Sequence, residues 1–599
     1  MGDYTRRTDK YVETIGEFMS FRPAYPLSAS VPAVPEIDTR TVVLKKGSVH
    51  APGAYALPCD IICDQDTAVT LRDGTILYAD VYRPDTREPV PVVLVYTPYC
   101  KRGGWWNEHF NATRFGVPPS DLSGLQAFES PDPGHWCNHG YAVAVVDAAG
   151  TSYSGGDEVF MGTASGRNVY DTIEWLAGQQ WCSGKVGMAG NSQLAMIQWT
   201  AAALRPPHLA AIAPWEGVTD LYREVTLRGG IPDTKFHEKD IAPFIYGEHH
   251  TEDVPLMVHR ARLMCSYWAD KRPALDRITV PAYVVASWTS PLHCHGTLQG
   301  FREISSSAKW LRVHNDQEWL DLADPANVED LRKFFDRFLK GIDNGWESTP
   351  RVRLSVLDPG GTDIVARPEA DWPLPRQAWR TLFLDAATGS LGDAAPDKEA
   401  VAEYAGDSLE SSVKFHLVAG EDVEITGHLN LRLWVEALDA RDMDLFAALY
   451  KESADGKRLH HITLRAPQAR AFVQSLEHNG QLPATLSYTG PVGRLRVSHR
   501  RLDPERSTAS EPFLAHESEE LLTPGERVQV QLSLWPTAMV VHAGERLVVE
   551  IAGHPVGPLA NEAHTLPGGD LHIATRNHGR HRIHTGGKYA SRLMLPVVP

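Results

Sequence analysis

From about residue 60 to about 350, short apolar runs alternate with stretches whose apolar residues recur at helical spacing. "PVPVVLVYTPYC", "GYAVAVVDAAG", "KVGMAG", "LAAIAPWEG" and "VPAYVVASWTS" are apolar, often β-branched, and closed by turn residues, the pattern of strands buried on both faces. Between them, "NVYDTIEWLAGQQ" has apolar residues at helical spacing and "SQLAMIQWTAAAL" is rich in good helix formers. This alternation predicts an α/β domain with a mostly parallel sheet covered on both sides. Ahead of it, "DTAVTLRDGTILYADVYRP" alternates apolar and polar residues around Asp73 and Gly74 and predicts a hairpin. A long segment between "APWEG" and "VPAYVV" is rich in aromatics and histidines but has no strand run. An insertion there, about 217–277, predicts a helical cap over the strand ends. "VEDLRKFFDRFLKGIDNGW" reads as an amphipathic helix stopped by Gly341. After "TPRVRLSVL" the pattern becomes all-β, with "ITGHLNLRLWVEA", "MDLFAALYKE", "ERVQVQLSLW" and "GERLVVEIAG" separated by turn residues. Three parts follow: an N-terminal arm over 1–59 packed on the body, an α/β domain over 60–350, and a C-terminal sandwich or jelly roll over 351–599.

Length agrees with this division, since 599 residues exceed what one hydrophobic core serves. The net charge of −17, without a basic cluster, argues against nucleic acid or an anionic membrane as partner. No apolar window is long enough for a membrane span. The N-terminal "MGDYTRRTDKYVETIGEF" has no apolar core of a signal peptide, and Arg6 stands where a myristoylation signal after Gly2 needs Ser or Thr. Seven scattered cysteines (Cys59, Cys63, Cys100, Cys137, Cys182, Cys265, Cys294) read as reduced thiols in a cytoplasmic protein. Cys59 and Cys63 lack the second pair of a zinc site, and "GEHH" and "HCHG" lack a matching ligand framework, so no metal is expected. No phosphate loop or dinucleotide fingerprint occurs, and no cofactor is expected. The expected partner is a small-molecule substrate; a homo-oligomer is left open.

The candidate chemistry lies in "GMAGNSQLAMIQW", residues 187–199. A strand ends, a tight turn forms around Ser192, and a helix begins, which is how α/β hydrolases present a nucleophilic serine. Gly190 lies two residues before the serine, but Leu194 fills the second glycine place, with Ala195 as the next small residue. A helix-capping serine is the competing reading. Acyl transfer also needs oxyanion donors. The backbone N–H of Gln193 would be one, aided by the helix dipole. A tyrosine hydroxyl, Tyr96 or Tyr99 of "VVLVYTPYCKRGG", could be the second, unless both rings serve only as core.

These segments, with "DPGHWCNHGYAVAVVDAAGTSYSGG", "LAAIAPWEGVTDLYRE", "FFDRFLKGIDNGW", "GRLRVSHRRLDPERS" and "HRIHTGGKYASRLMLPVVP", resemble the cocaine esterase, X-prolyl dipeptidyl aminopeptidase and α-amino acid ester hydrolase group of serine hydrolases, the CocE/NonD type. The similarity runs from about residue 60 to the end. It implies an α/β-hydrolase domain with a cap and a C-terminal jelly roll, Ser192 as nucleophile, Tyr99 as oxyanion hydroxyl and Gln193 as backbone donor. The family's acid follows the strand matching "AYVVASW", and here Ser290 stands in its place. Its histidine follows the next strand, and here Gln317 or Glu318 stands there. Ala149 replaces the arginine of the family's D-x-R-G, and Gln193 replaces an aromatic residue.

Three readings follow. The first is a rebuilt hydrolase acting by acyl transfer on a small ester, lactone or amide, with a base or acid drawn from His293, His295, His314 and Glu216. The second is a non-hydrolytic enzyme in the same pocket, performing cyclisation, elimination, C–C cleavage or acyl transfer to an acceptor other than water. The third is a binding protein without activity.

Overall fold

The structure, a computed structural model, describes residues 19–111, 116–464, 486–557 and 573–599. The segment carrying Gly2 and Arg6 lies outside these residues. The first thirteen strands are β1 (Phe21–Pro23), β2 (Arg40–Leu44), β3 (Ile61–Thr70), β4 (Ile76–Pro84), β5 (Val90–Thr97), β6 (Ala142–Asp147), β7 (Cys182–Asn191), β8 (Leu209–Trp215), β9 (His250–Glu252), β10 (Ala282–Ser287), β11 (Lys309–His314), β12 (Val352–Val356) and β13 (Ile364–Glu369). Eleven of them form one sheet in the order β13-β12-β11-β10-β8-β7-β5-β6-β4-β3-β2. The central strands from β6 to β12 are parallel, and the antiparallel members lie at the two edges.

Every residue of β5, β6 and β10 is buried. Val93 and Val95 face one helical layer and Val92 and Leu94 the other, so the side chains of β5 alternate between two cores. The helices Thr163–Ala177, Gln193–Leu204 and Cys294–Glu303 cover one face, through Val169, Trp199 and Phe301. Pro133–Asn138 and Pro325–Leu339 cover the other, through Trp136 and Phe334. The apolar runs read as buried strands are therefore the strands that carry the site.

The sheet reaches beyond the part assigned to it from sequence. In the N-terminal arm, β2 adds an edge strand against β3, and β1 pairs with β9. Past residue 350, β12 continues the parallel order beside β11, and β13 closes the edge. An apolar strand such as "VRLSV" carries no mark of which sheet it will join. The second sheet is built from strands between Ala378 and Val598 and encloses its own core. No helix among the described residues is long and apolar enough to cross a membrane. All seven cysteines are free, five of them buried.

The segment between β8 and β10 is a cap of short helical turns, with β9 as its one short strand. It is pinned to the body by Lys271, whose side chain is fully buried. The ammonium donates to Glu252 at 2.7 Å and to the Phe160 carbonyl at 2.9 Å, while Glu252 also accepts from Tyr267 and from the Phe160 N–H. The cap presses on the sandwich at Gly229 and Gly230. Gly229 has φ +64°, and a Cβ there would lie 2.1 Å from the Arg494 carbonyl oxygen; at Gly230 it would meet the His499 ring at 2.4 Å. Lys271→Met leaves the Glu252 carboxylate buried without its cation. It should lower the unfolding free energy by about 3–5 kcal/mol in denaturant titration, and a change below about 1 kcal/mol would contradict the pinning role.

Candidate active site

Ser192 follows β7 and precedes the helix Gln193–Leu204, with φ 56° and ψ −120°. Such a conformation is strained for a residue with a Cβ, and close packing on every side holds it. The Ser192 N–H faces the Trp215 and Glu216 carbonyls at 3.2 and 3.1 Å, and the Asn191 N–H donates to the Glu129 carbonyl at 3.1 Å. Gly190, at φ +141°, has no room for a side chain, since a Cβ would lie 2.7 Å from the Leu194 Cβ. The second small residue of the turn is Ala195. It packs on Gly217, where an added Cβ would meet the Ala195 Cβ at 2.9 Å. The tight approach expected at Leu194 is thus made one residue later.

His293 lies in the loop after β10, with Nε2 3.3 Å from the Ser192 Oγ. Its Nδ1 is 3.1 Å from Glu318 Oε2 and 4.0 Å from Glu216 Oε2. The Asn191 amide donates to the same Glu318 oxygen at 3.1 Å. Glu318 opens the helix Glu318–Ala323 after β11. The other two candidate histidines point elsewhere. His314 is buried, with Nε2 2.7 Å from Glu216 Oε1 and 3.6 Å from Asp321. Burial opposes its charge, but the Asp321 and Glu216 carboxylates prevail and raise its pKa above the ordinary histidine value. His295 stacks on Trp535 and lies 3.6 Å from Glu224. Glu216 thus engages His314 more closely than His293.

The departed positions have local roles. The Ser290 hydroxyl accepts from the His293 N–H at 3.1 Å, and Gln317 caps the next helix by accepting from the Trp319 and Leu320 N–H groups. Ala149 donates its N–H to the Tyr96 hydroxyl at 2.9 Å, so Tyr96 ties that turn. Tyr96, Ala149 and Gln193 border a cavity of about 20 Å³. The buried Gln193 Oε1 has no hydrogen-bond partner.

Tyr99 is the tyrosine near enough to the serine for the Ser192 hydroxyl to act on its phenol. Burial, reinforced by the negative charge of Glu318, pushes its pKa well up and keeps it a proton donor. Its loop is clamped by Lys101, which binds Asp147 and Asp66 at 2.9 Å each. Trp106 and Phe128 pack against its ring, and Trp319 packs against both of these.

Glu129 was not singled out from sequence. It has φ +61° and is buried, and its Oε1 accepts from the Trp319 indole N–H at 3.0 Å. Oε2 has no partner. Burial, then the Glu318 charge, push its pKa well above 4.5. Nothing in "LQAFESPDP" marks it, because its role comes from the turn that packs it beneath the serine.

Among the described residues, two groups could each offer three metal-ligand atoms within 4.8 Å of one another: Glu216, His293 and Glu318, and His314, Asp316 and Asp321. In the second, both Asp321 oxygens already accept from the Arg312 guanidinium, which would repel a cation. In the first, His293 is aligned between a hydroxyl and a carboxylate, as a proton carrier is held.

A raised Glu129 pKa means that the folded state keeps a proton which the unfolded chain releases above pH of about 4.5. Its contribution to stability therefore falls as pH rises from there. Glu129→Gln removes this term, so the variant should gain on the wild type by up to about 1.4 kcal/mol per pH unit above that value. A stability difference independent of pH would show that Glu129 is ionised.

Residues 73–243 match the X-Pro dipeptidyl-peptidase (S15) family, and residues 344–594 match the X-Pro dipeptidyl-peptidase C-terminal non-catalytic domain. The chain is 23% identical to the cocaine esterase of Rhodococcus sp. (strain MB1 Bresler), over 88% of this chain and 97% of that one. It superposes on a CocE/NonD family hydrolase from Staphylococcus aureus with a TM-score of 0.84 and 32% identity, over 94% of this chain and 98% of that one. An α-amino acid ester hydrolase, 15% identical with a TM-score of 0.64 over 90% of this chain and 97% of that one, shares the fold.

Proposed function

The chain belongs to the CocE/NonD family of hydrolases, and from that premise we propose that it hydrolyses small organic esters, lactones or amides through a triad of Ser192, His293 and Glu318. The observation that carries this reading is the line from the Ser192 Oγ to His293 Nε2 at 3.3 Å and from His293 Nδ1 to Glu318 at 3.1 Å. The family resemblance puts the acid after β10 and the histidine after β11. In this chain the histidine follows β10 and the acid follows β11, so the two loops have exchanged roles. Glu318, first noted as a place where a histidine is missing, is the acid.

Ser192 attacks the carbonyl as His293 Nε2 takes its proton. Glu318 accepts from Nδ1–H, which fixes the tautomer and stabilises the imidazolium. The Asn191 amide holds that carboxylate in place. The oxyanion is met by the Gln193 N–H at the helix terminus and by the Tyr99 hydroxyl. His293 then protonates the leaving alcohol or amine, and water attacks the acyl-serine by the reverse path. Glu129, kept neutral by burial, places no second full charge beside Glu318. Glu216 and His314 brace the floor of the site. The assembled proton path favours acyl-serine chemistry over cyclisation, elimination or C–C cleavage.

On p-nitrophenyl esters, Ser192→Ala should abolish both turnover and labelling by a fluorophosphonate. Glu318→Gln should lower kcat by about 10⁴ and Tyr99→Phe by about 10²–10³, with Glu216→Gln the milder of the two glutamate changes. Turnover that survives Ser192→Ala, or a Glu216→Gln loss exceeding that of Glu318→Gln, would overturn the assignment.

A further inference from the structure

Arg228 begins the turn with which the cap presses on the sandwich, and it is 8% exposed. Its guanidinium lies 3.7 Å over the Trp535 ring, and one N–H donates to the Val492 carbonyl at 2.5 Å. Among the described residues no carboxylate pairs with it. Asp233 pairs with Arg494 at 3.1 Å, and Glu224 accepts from the Thr219 N–H at 2.7 Å. A guanidinium does not shed its proton, and one buried without a counter-ion is costly. Burial, and next the Arg494 charge, push the Arg228 pKa well down.

Beside Arg228 is a cavity of about 110 Å³ between the α/β domain and the sandwich. Arg228, Arg494, Ser487, Ser290 and Trp535 line it, and the rest of its wall is mostly apolar. The Ser487 hydroxyl and the Arg494 Nε are buried without hydrogen-bond partners. An unpaired cation and two residues that each carry an unpartnered buried polar atom thus border one space. Ser192, Tyr99 and Gln193 are not in its lining, so it is distinct from the hydrolase site.

We propose that this cavity binds a small organic carboxylate, with its charged end on Arg228 and the Ser487 hydroxyl and its apolar body against Trp535. The apolar wall selects a carboxylate with a hydrocarbon body over inorganic phosphate. The volume is below the roughly 150 Å³ that holds a benzene, which limits the ligand to a short acid. Ser290 links the cavity to the catalytic loop, because its hydroxyl accepts from the His293 N–H. Given the function proposed above, ester hydrolysis releases a carboxylate, and occupancy then reports product back to the loop that carries the base.

Isothermal titration of the whole protein with butanoate tests the proposal, with butyramide and inorganic phosphate as probes of charge and shape. No ester is present, so failure of the hydrolase reading leaves this result untouched. The expected result is saturable one-to-one binding of butanoate, weakened at least tenfold by Arg228→Met, with neither butyramide nor phosphate binding. Ser487→Val removes the hydroxyl and leaves the arginine unchanged, and it should weaken binding as well if Arg228→Met does not fold. No saturable binding, butyramide or phosphate binding as tightly as butanoate, or butanoate affinity unchanged in both variants would overturn it. Binding kept in both variants and lost in Tyr99→Phe would instead place the acid at Ser192 and overturn it equally.

Discussion

Ser192 is held at φ 56° and ψ −120° between a strand and a helix that are both buried, and the positions of the surrounding groups follow from that turn. The turn needs a residue without a side chain at Gly190 and small residues where the helix meets Gly217. It aims the serine out of the sheet beside the first free N–H groups of the helix. Its neighbour Glu129 takes up a left-handed backbone conformation so that its carbonyl can receive the Asn191 N–H. Strain of this kind persists only where the surroundings over-determine it, and here a parallel sheet with helices on both faces does so.

The same sheet would let the two proposed catalytic roles trade places. β10 and β11 run parallel and adjacent, with Ser287 paired to His314 in register, so the loops leaving them rise side by side toward the serine. On the reading proposed here, chemistry requires an imidazole nitrogen near the hydroxyl and a carboxylate behind it, but not a particular loop for either. His293 reaches the hydroxyl from the β10 side, and Glu318, at the start of a helix capped by Gln317, comes up behind it from the β11 side. Ser290 keeps the place of the family's acid but now fastens the histidine loop through a backbone N–H.

The fold was legible because burial on both faces writes itself into sequence as short apolar runs. "VPVVLVYT" and "AYVVAS" become fully buried strands, and the alternation with helices gives the layered order. The serine turn was legible for the same reason, since a strand and a helix flank it at once. Sheet membership past residue 350 was not, because it depends on which neighbour a strand meets. The proposed proton path was only half legible. His293 stood among the candidates, yet nothing in sequence ranked it over His295, inside the next helix, or His314, at the end of β11. Glu318 was visible as a departure, but its carboxylate acquires meaning only through 3.1 Å of space to a histidine on another loop. Glu129 left no trace, because burial and a positive φ give an ordinary glutamate an environment that raises its pKa under the site.

The central claim is that His293, on the β10 loop, is the base that activates Ser192. Its most direct measurement is the rate at which a fluorophosphonate labels Ser192 in His293→Ala, with and without added imidazole, compared with His314→Ala. If His293 is the base, labelling in His293→Ala should fall by orders of magnitude and recover in part with imidazole, while His314→Ala should not be rescued by it. Labelling of His293→Ala at the wild-type rate, or imidazole rescue confined to His314→Ala, would contradict the claim.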